Sequence, residues 1–282
     1  MTRLATLALA DGSTVAARHD GESFHAFRDL LGERYGDVGA LLRAGLETAT
    51  IEEGVVEGRL LRPVLRPGAV VCVGINYGAH IAEMGRDTPT SPTYFSKLPR
   101  ALADPGEPVI LPPESSKVDY EGEVAAVIGR SGRRIPREAA LDHVAGLTLV
   151  NDVSMRDFQN RSLQWFAGKS WQGCTPVGPE VVTLDELGTL GSLELTTAVN
   201  GEVRQRAVVG DLIFDIPALV ADLSQIVELE PGDLIVTGTP GGVGHAMEPP
   251  RYLQPDDVVE VSLAGVGTLR TVFAAGSIVT VR

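Results

Sequence analysis

The segment VDYEGEVAAVIG, residues 118–129, decides the reading of this chain. Acidic residues stand at alternate positions, Asp119, Glu121 and Glu123, and lead at once into the apolar run Val124 to Ile128. Side chains alternate between the two faces of a strand, so these carboxylates are expected on one side. Two readings of that acidic edge are open. On a solvated strand edge the carboxylates are simply hydrated. Beside a core they need a neutralising charge, because crowded buried carboxylates are costly. A hard divalent cation supplies it, and oxygen-only ligands favour magnesium, manganese or calcium over zinc.

A second apolar strand, in LTLVNDVSMRDFQ at 147–159, ends at Asp152. That aspartate either completes a cation site with Glu121 and Glu123 or serves as a turn residue. Ser154 and Asp157 predict the start of a helix over about 154–163, with serine as its N-cap. In GINYGAHIAEM, 74–84, His80 and Glu83 are three apart. On a helix they share a face, so the carboxylate either orients the imidazole as a general base or makes a surface contact with it. Lys169 lies among glycines and aromatics in FAGKSWQG. It is either an oxyanion- or enolate-stabilising group or a surface lysine. Trp165 and Trp171 are expected to pack, Cys174 has no evident partner, and His245 is expected on an exposed loop. His19, His25 and His143 are read as structural or exposed.

The flanking sequence fits a β-rich protein of two units, 1–65 and 66–282. Thirty-two glycines and 18 prolines are scattered rather than clustered, as in short strands joined by turns. Leu4 to Leu9 and Thr14 to Arg18 flank the turn signal Asp11-Gly12, which predicts a hairpin. Phe24, Phe27, Leu30 and Leu31 recur at helical spacing, as do Val38, Leu41, Leu42 and Leu46. Strands are predicted at 69–73, 124–128, 147–150, 195–199, 234–237 and 258–263, with helices near 136–144 and 216–227. Asn200-Gly201 predicts a second hairpin. The run TGTPGGVG at 237–244 lacks the Gly-Lys-Ser/Thr ending of a phosphate-binding loop, so a nucleotide site is not expected.

Composition narrows the function classes. The 24 Lys and Arg against 37 Asp and Glu leave a net charge of −13, which disfavours nonspecific binding to nucleic acid or anionic membranes. No uncharged run is long enough to span a bilayer, and the N-terminus lacks the pattern of a secretory signal. Two cysteines make neither a disulfide framework nor a cysteine-rich zinc site. A reducing, cytoplasmic location is expected.

GINYGAHIAEMG, PTYFSK, KVDYEGEVAAVIG, NDVSMRDFQ, GKSWQG with TPVGP, VNGEVRQ, LEPGDLIVTGTPGGVG and GVGTL follow one another in the chain. In that order they resemble the fumarylacetoacetate hydrolase family, from about residue 69 to 273. The first 65 residues are similar to the small N-terminal domain of many bacterial members of the acylpyruvase and fumarylpyruvate hydrolase type.

The resemblance implies an α+β, β-rich fold, a mixed β-roll around a metal site, with a small N-terminal α+β domain. It implies Mg2+ or Mn2+ held by Glu121, Glu123 and Asp152, and His80 with Glu83 as the water-activating pair on a segment that closes over substrate. It places Lys169 near the reacting oxygen, and Lys97, Arg156, Gln159 and Thr239 along the substrate cavity. Members are usually homodimers.

The activity implied is hydrolysis of a C–C bond in an acylpyruvate-type diketo acid, fumarylpyruvate-like, through a metal-bound enolate, as in aromatic catabolism. The alternative is a decarboxylase of an oxaloacetate-like 2-oxo acid, or an isomerase acting on an enol or an unsaturated oxo diacid. A catalytically silent metal- and ligand-binding domain is a third reading, but such a domain would not need His80, Glu83 and Lys169. In one place the chain departs from the family pattern. Many members read GKSFDxF after the lysine, whereas this chain reads Gly168-Lys169-Ser170-Trp171-Gln172-Gly173-Cys174. That loop is expected to help form the pocket.

Overall fold

Strand Gly122–Ile128 is buried along its whole length and lies inside a mixed 12-stranded sheet. The computed structural model describes residues 2–85 and 87–276, so 277–282, with which the second expected unit ends, lie outside the described residues. A strand covered on both faces is expected to read as a continuous apolar run, and VAAVI does. Its side chains still alternate. Val124, Ala126 and Ile128 enter one core cluster with Leu147, Leu195, Val261 and Phe273. Ala125 and Val127 enter another with Leu4, Val38, Leu41 and Val181. The first core lies against a five-stranded sheet that includes Glu194–Val199, Glu202–Val208, Val258–Leu263 and Gly267–Ala275. The second is covered by the N-terminal segment. The fold is therefore β-rich with mixed sheets and a few helices, as expected.

Strand direction brings distant segments to one edge. Val144–Asn151 runs antiparallel to Gly122–Ile128, with Gly122 opposite Asn151. The start of one strand, carrying Glu121 and Glu123, therefore lies beside the end of the other, which delivers Asp152. Leu234–Val236 is also antiparallel to the central strand, so the following residues, Thr237 to Thr239, arrive at the same edge. Val70–Gly74 is parallel to Leu234–Val236 and delivers the helix Gly78–Glu83 there.

The N-terminal hairpin forms as expected from Arg3–Ala8 and Thr14–His19. It also joins the main sheet, with Leu4 opposite Val181 of Thr175–Thr183. Asn200 and Gly201 take φ of 52° and 79°, as the second hairpin requires. Two helical expectations are corrected. Phe24–Arg28 is a strand, and Leu30 and Leu31 are exposed. Asp29 ends that strand by accepting the amides of Leu31 and Glu33, and Gly32 has φ 86°. The expected helix over 154–163 shrinks to the single turn Arg156–Gln159. Ser154 is not its cap: it pairs with Asp119 in a two-stranded ribbon. Among the described residues no helix is long and apolar enough to cross a membrane.

Candidate active site

Glu121, Glu123 and Asp152 each offer an oxygen, and these oxygens all lie within 4.8 Å of one another. All three side chains are buried. The backbone sets them there: Asp152 N donates to Glu121 O at 2.8 Å, and Glu121 N donates to Asn151 Oδ1 at 3.0 Å. Gly122 is required between the two glutamates because an added Cβ would meet Thr197 Oγ1 at 2.0 Å.

Asp119 departs from the expected shared face. The strand breaks after it, and its carboxylate turns to accept from Arg156 Nε at 2.8 Å and from the amides of Gly244 and His245. Asp157 also lies apart, accepting from Ser115 Oγ.

Three cations meet the acidic cluster. Lys169 Nζ lies 2.6 Å from Glu121 Oε2 and 2.8 Å from Asp152 Oδ2. Arg156 Nη1 lies 2.6 Å from Glu121 Oε1 and donates to Gln159 Oε1 at 3.0 Å. Lys97 Nζ pairs with Asp152 Oδ1. Burial raises the Glu121 carboxyl, but Lys169 and Arg156 outweigh it and hold it at about 2. Glu123 goes the other way: burial, then the charges of Asp152 and Glu121, push it well above the ordinary carboxylate range. Its carboxylate accepts the Gly238 amide at 2.5 Å. Burial alone would lower Lys169, yet Asp152 and Glu121 raise it above an ordinary lysine, so it carries its charge. Lys97, Lys169 and Arg156 pair with Asp152, Glu121 and Asp119, whereas burial and like charge oppose ionisation of Glu123. An oxygen-only cluster in which one carboxylate still needs a cation to ionise suits a hard divalent ion, and Glu121, Glu123 and Asp152 are the residues that could hold it.

His80 Nδ1 lies 2.7 Å from Glu83 Oε1. A carboxylate oxygen accepts, so Nδ1 is the donor in this pair, which leaves Nε2 as the other ring nitrogen. Glu83 is itself held by the Gly242 amide at 2.8 Å. The glycine-rich run at 237–244, which the sequence separated from nucleotide binding, therefore anchors carboxylates. Gly238 holds Glu123, Gly242 holds Glu83, and Gly244 holds Asp119. Gly242 has φ 104°, and a Cβ there would meet Arg204 O at 1.9 Å.

His80, Glu121, Glu123, Arg156, Gln159, Lys169 and Thr239 line one cleft with the apolar residues Val73, Ile75, Met84, Phe95 and Trp165. Lys97 does not line it. That side chain is fully buried behind Asp152. Trp165, expected only to pack, is a cleft wall set edge-on to Phe95 at 5.5 Å. Gly74 makes room for it, since a Cβ there would meet the Trp165 ring at 2.2 Å. An aromatic beside the lysine motif was the available signal, but Phe95, 70 positions away, could not be paired with it from sequence. Of the stretch 168–174 only Lys169 reaches the cleft. Gln172 is exposed, and Trp171 packs edge-on against Phe158 at 4.8 Å. The altered loop thus lies outside the cleft wall it was expected to form. His245 is half-buried rather than loop-exposed, with Nδ1 2.8 Å from Tyr252 Oη.

A buried acid cluster at the edge of a β-roll, with a carboxylate-oriented imidazole and a charged lysine on the walls of one cleft, is an arrangement suited to proton transfer. The sequence matches the family described as Fumarylacetoacetate (FAA) hydrolase C-terminal over residues 69–274, and the chain belongs to that family. It is 38% identical over 271 residues to oxaloacetate tautomerase YisK of Bacillus subtilis (strain 168), covering 95% of this chain and 88% of that protein. Its fold is similar to the fumarylacetoacetate hydrolase of Exiguobacterium antarcticum, with a TM-score of 0.83, 33% identity, and coverage of 98% and 100% of the two chains. It is also similar to fumarylpyruvate hydrolase of Pseudomonas aeruginosa in complex with Mn2+ and pyruvate, with a TM-score of 0.68, 32% identity, and coverage of 78% and 93%. Relatives of this chain thus include a tautomerase and hydrolases.

Proposed function

We propose that this protein interconverts the enol and keto forms of a 2-oxo diacid of the oxaloacetate class, with a divalent cation held by Glu121, Glu123 and Asp152. The observation that carries the reading is that a carboxylate-paired imidazole, His80, and a charged ammonium, Lys169, line the same cleft above the acid cluster. A bound Mg2+ or Mn2+ supplies Lewis-acid polarisation of the 2-oxo acid oxygens. His80 Nε2 takes the proton from the enol oxygen and gives it to carbon, or the reverse, while Glu83 stabilises the intervening imidazolium through Nδ1. Lys169 offsets the charge that develops on the enolate oxygen. The apolar walls, Val73, Ile75, Met84, Phe95 and Trp165, exclude water from the carbanion-like centre. The name of the Bacillus relative, aligned along nearly the whole chain, supports this substrate class.

Hydrolysis of an acylpyruvate is the second reading. The same His80–Glu83 pair suits deprotonation of water, and the Pseudomonas neighbour is named a fumarylpyruvate hydrolase. One experiment separates the two. With Mn2+ or Mg2+ present, the rate of ketonisation of enol-oxaloacetate is followed beside pyruvate release from acylpyruvates. Ketonisation well above the spontaneous rate is expected. Pyruvate release without accelerated ketonisation would replace the proposal with hydrolysis. The family resemblance also supports a homodimer, which light scattering would test.

A further inference from the structure

Gln205 is the one fully buried side chain of Glu202–Val208, an edge strand of the five-stranded sheet. A buried glutamine on an edge strand whose other residues are exposed or half-buried is unusual unless each amide atom is used. Here each is. Oε1 accepts from Gly122 N at 3.0 Å, and Nε2 donates to Thr239 Oγ1 at 2.7 Å and to Pro240 O at 2.8 Å. Thr239 Oγ1 in turn donates to Gly122 O at 3.0 Å.

Backbone groups force the direction of every bond in this network. Gly122 N can only donate, so the amide oxygen must face it. Pro240 O can only accept, so Nε2 must face Pro240 and, with it, Thr239. The single Thr239 hydroxyl proton is then committed to Gly122 O, which can only accept. A hydroxyl has one proton and two lone pairs. With its proton and one lone pair used, Thr239 has only a lone pair left for the cleft it lines.

We propose that Gln205 is a positioning residue that fixes the Thr239 hydroxyl as an acceptor-only group toward the cleft, so that the site selects a ligand presenting a hydrogen-bond donor there. For the substrate class proposed above, on which this inference rests, that donor is the enol O–H. The ketone has none to offer.

The test is a double-mutant cycle on the Mn2+-loaded full-length protein, with enol-oxaloacetate as substrate. Gln205→Met, which keeps bulk and removes all three bonds, is expected to lower kcat/KM on the order of tenfold. Thr239→Val is expected to lower it similarly. In the Thr239→Val background Gln205→Met should add less than a twofold loss, whereas in Thr239→Ser, which keeps the hydroxyl, its effect should persist. A second measurement does not depend on Gln205→Met folding. Thr239→Val should raise KM for the enol on the order of tenfold while changing KM for the ketone less than twofold. An active parent whose two losses simply multiply, or whose KM values for enol and ketone rise together, would overturn this assignment and leave the proposed function standing. A parent that does not ketonise the enol would overturn the function and the assignment with it.

Discussion

Glu83 fixes the proton of His80. The carboxylate lies 2.7 Å from Nδ1 and is itself pinned by the Gly242 amide, so Nε2 is the nitrogen that the proposed mechanism uses as base. His80→Ala should keep divalent-metal affinity and lose turnover by a factor on the order of 10²–10⁴, the usual contribution of a general acid–base group. Glu83→Gln, which still accepts from Nδ1 but lacks the charge, should fall between parent and His80→Ala. Steady-state kinetics beside calorimetry with Mn2+ checks both. Unchanged turnover in His80→Ala would remove the imidazole from the mechanism.

Glu123 is the carboxylate with the least local compensation. Burial and the charges of Asp152 and Glu121 oppose its ionisation. Glu123→Gln keeps an acceptor for Gly238 N and removes the repulsion. In metal-free protein this variant should therefore melt higher than the parent, by about 2 °C or more. It should also bind Mn2+ more weakly, by more than tenfold. Thermal unfolding with and without chelator checks the sign. A variant that melts lower without metal and still binds it normally would place the cation elsewhere.

The acid cluster was legible in part because alternation sets Glu121 and Glu123 on one side of a strand and Asp152 ends the next apolar run, and the family resemblance joined the three. The antiparallel pairing of those two strands is what brings their oxygens together. Alternation failed at Asp119, since nothing in VDYEGE signals that the strand breaks after its first acid, and the partner that turns it away, Arg156, lies 37 positions on. Phe24 to Leu31 misled for a different reason. Four apolar residues satisfy a helical spacing, but Asp29 and Gly32 together impose a turn that the periodicity ignores. The carboxylate-anchoring use of Gly238, Gly242 and Gly244 was invisible because their acceptors are 115 to 159 positions away.

Lys97 belongs to the support of the cluster rather than to the cleft surface. Its side chain is fully buried against Asp152. Removing one partner of a buried ion pair costs on the order of 3–5 kcal/mol, and Lys169 still compensates Asp152 in part. Lys97→Met should therefore destabilise the metal-free protein by roughly 2–4 kcal/mol, with KM nearly unchanged once metal is bound. Urea unfolding and Michaelis kinetics test this. A rise in KM without loss of stability would return Lys97 to substrate contact.

Gly242 couples the loop to the base. Its φ of 104° is strained for any other residue, and an added Cβ would strike the Arg204 carbonyl. Gly242→Ala should cost more than about 1 kcal/mol in stability. Displacing the amide that holds Glu83 should also lower kcat well before the protein unfolds. Activity measured 20 °C or so below the variant's own melting midpoint, where ~99% or more of it is folded, separates the two effects. Parent-like kcat there would show that the loop does not position the dyad.

Lys169 tests the chemistry most directly. Its ammonium is buried, touches Glu121 and Asp152, and keeps its proton because those carboxylates outweigh the cost of burial. An interaction raises turnover only when it is stronger in the transition state than in the bound substrate. The charge on a 2-oxo acid's reacting oxygen grows as the enolate forms, so a fixed ammonium gains most at that point. Lys169→Met keeps bulk and deletes the charge. It should lower kcat by about 10²–10³, the range for loss of one oxyanion donor, and raise KM far less. The variant also leaves Glu121 and Asp152 with one cation fewer, which should tighten rather than weaken Mn2+ binding. Calorimetry therefore separates lost chemistry from a lost metal site. A raised KM with unchanged kcat would make Lys169 a uniform binding contact, and the enolate-stabilising role would be abandoned.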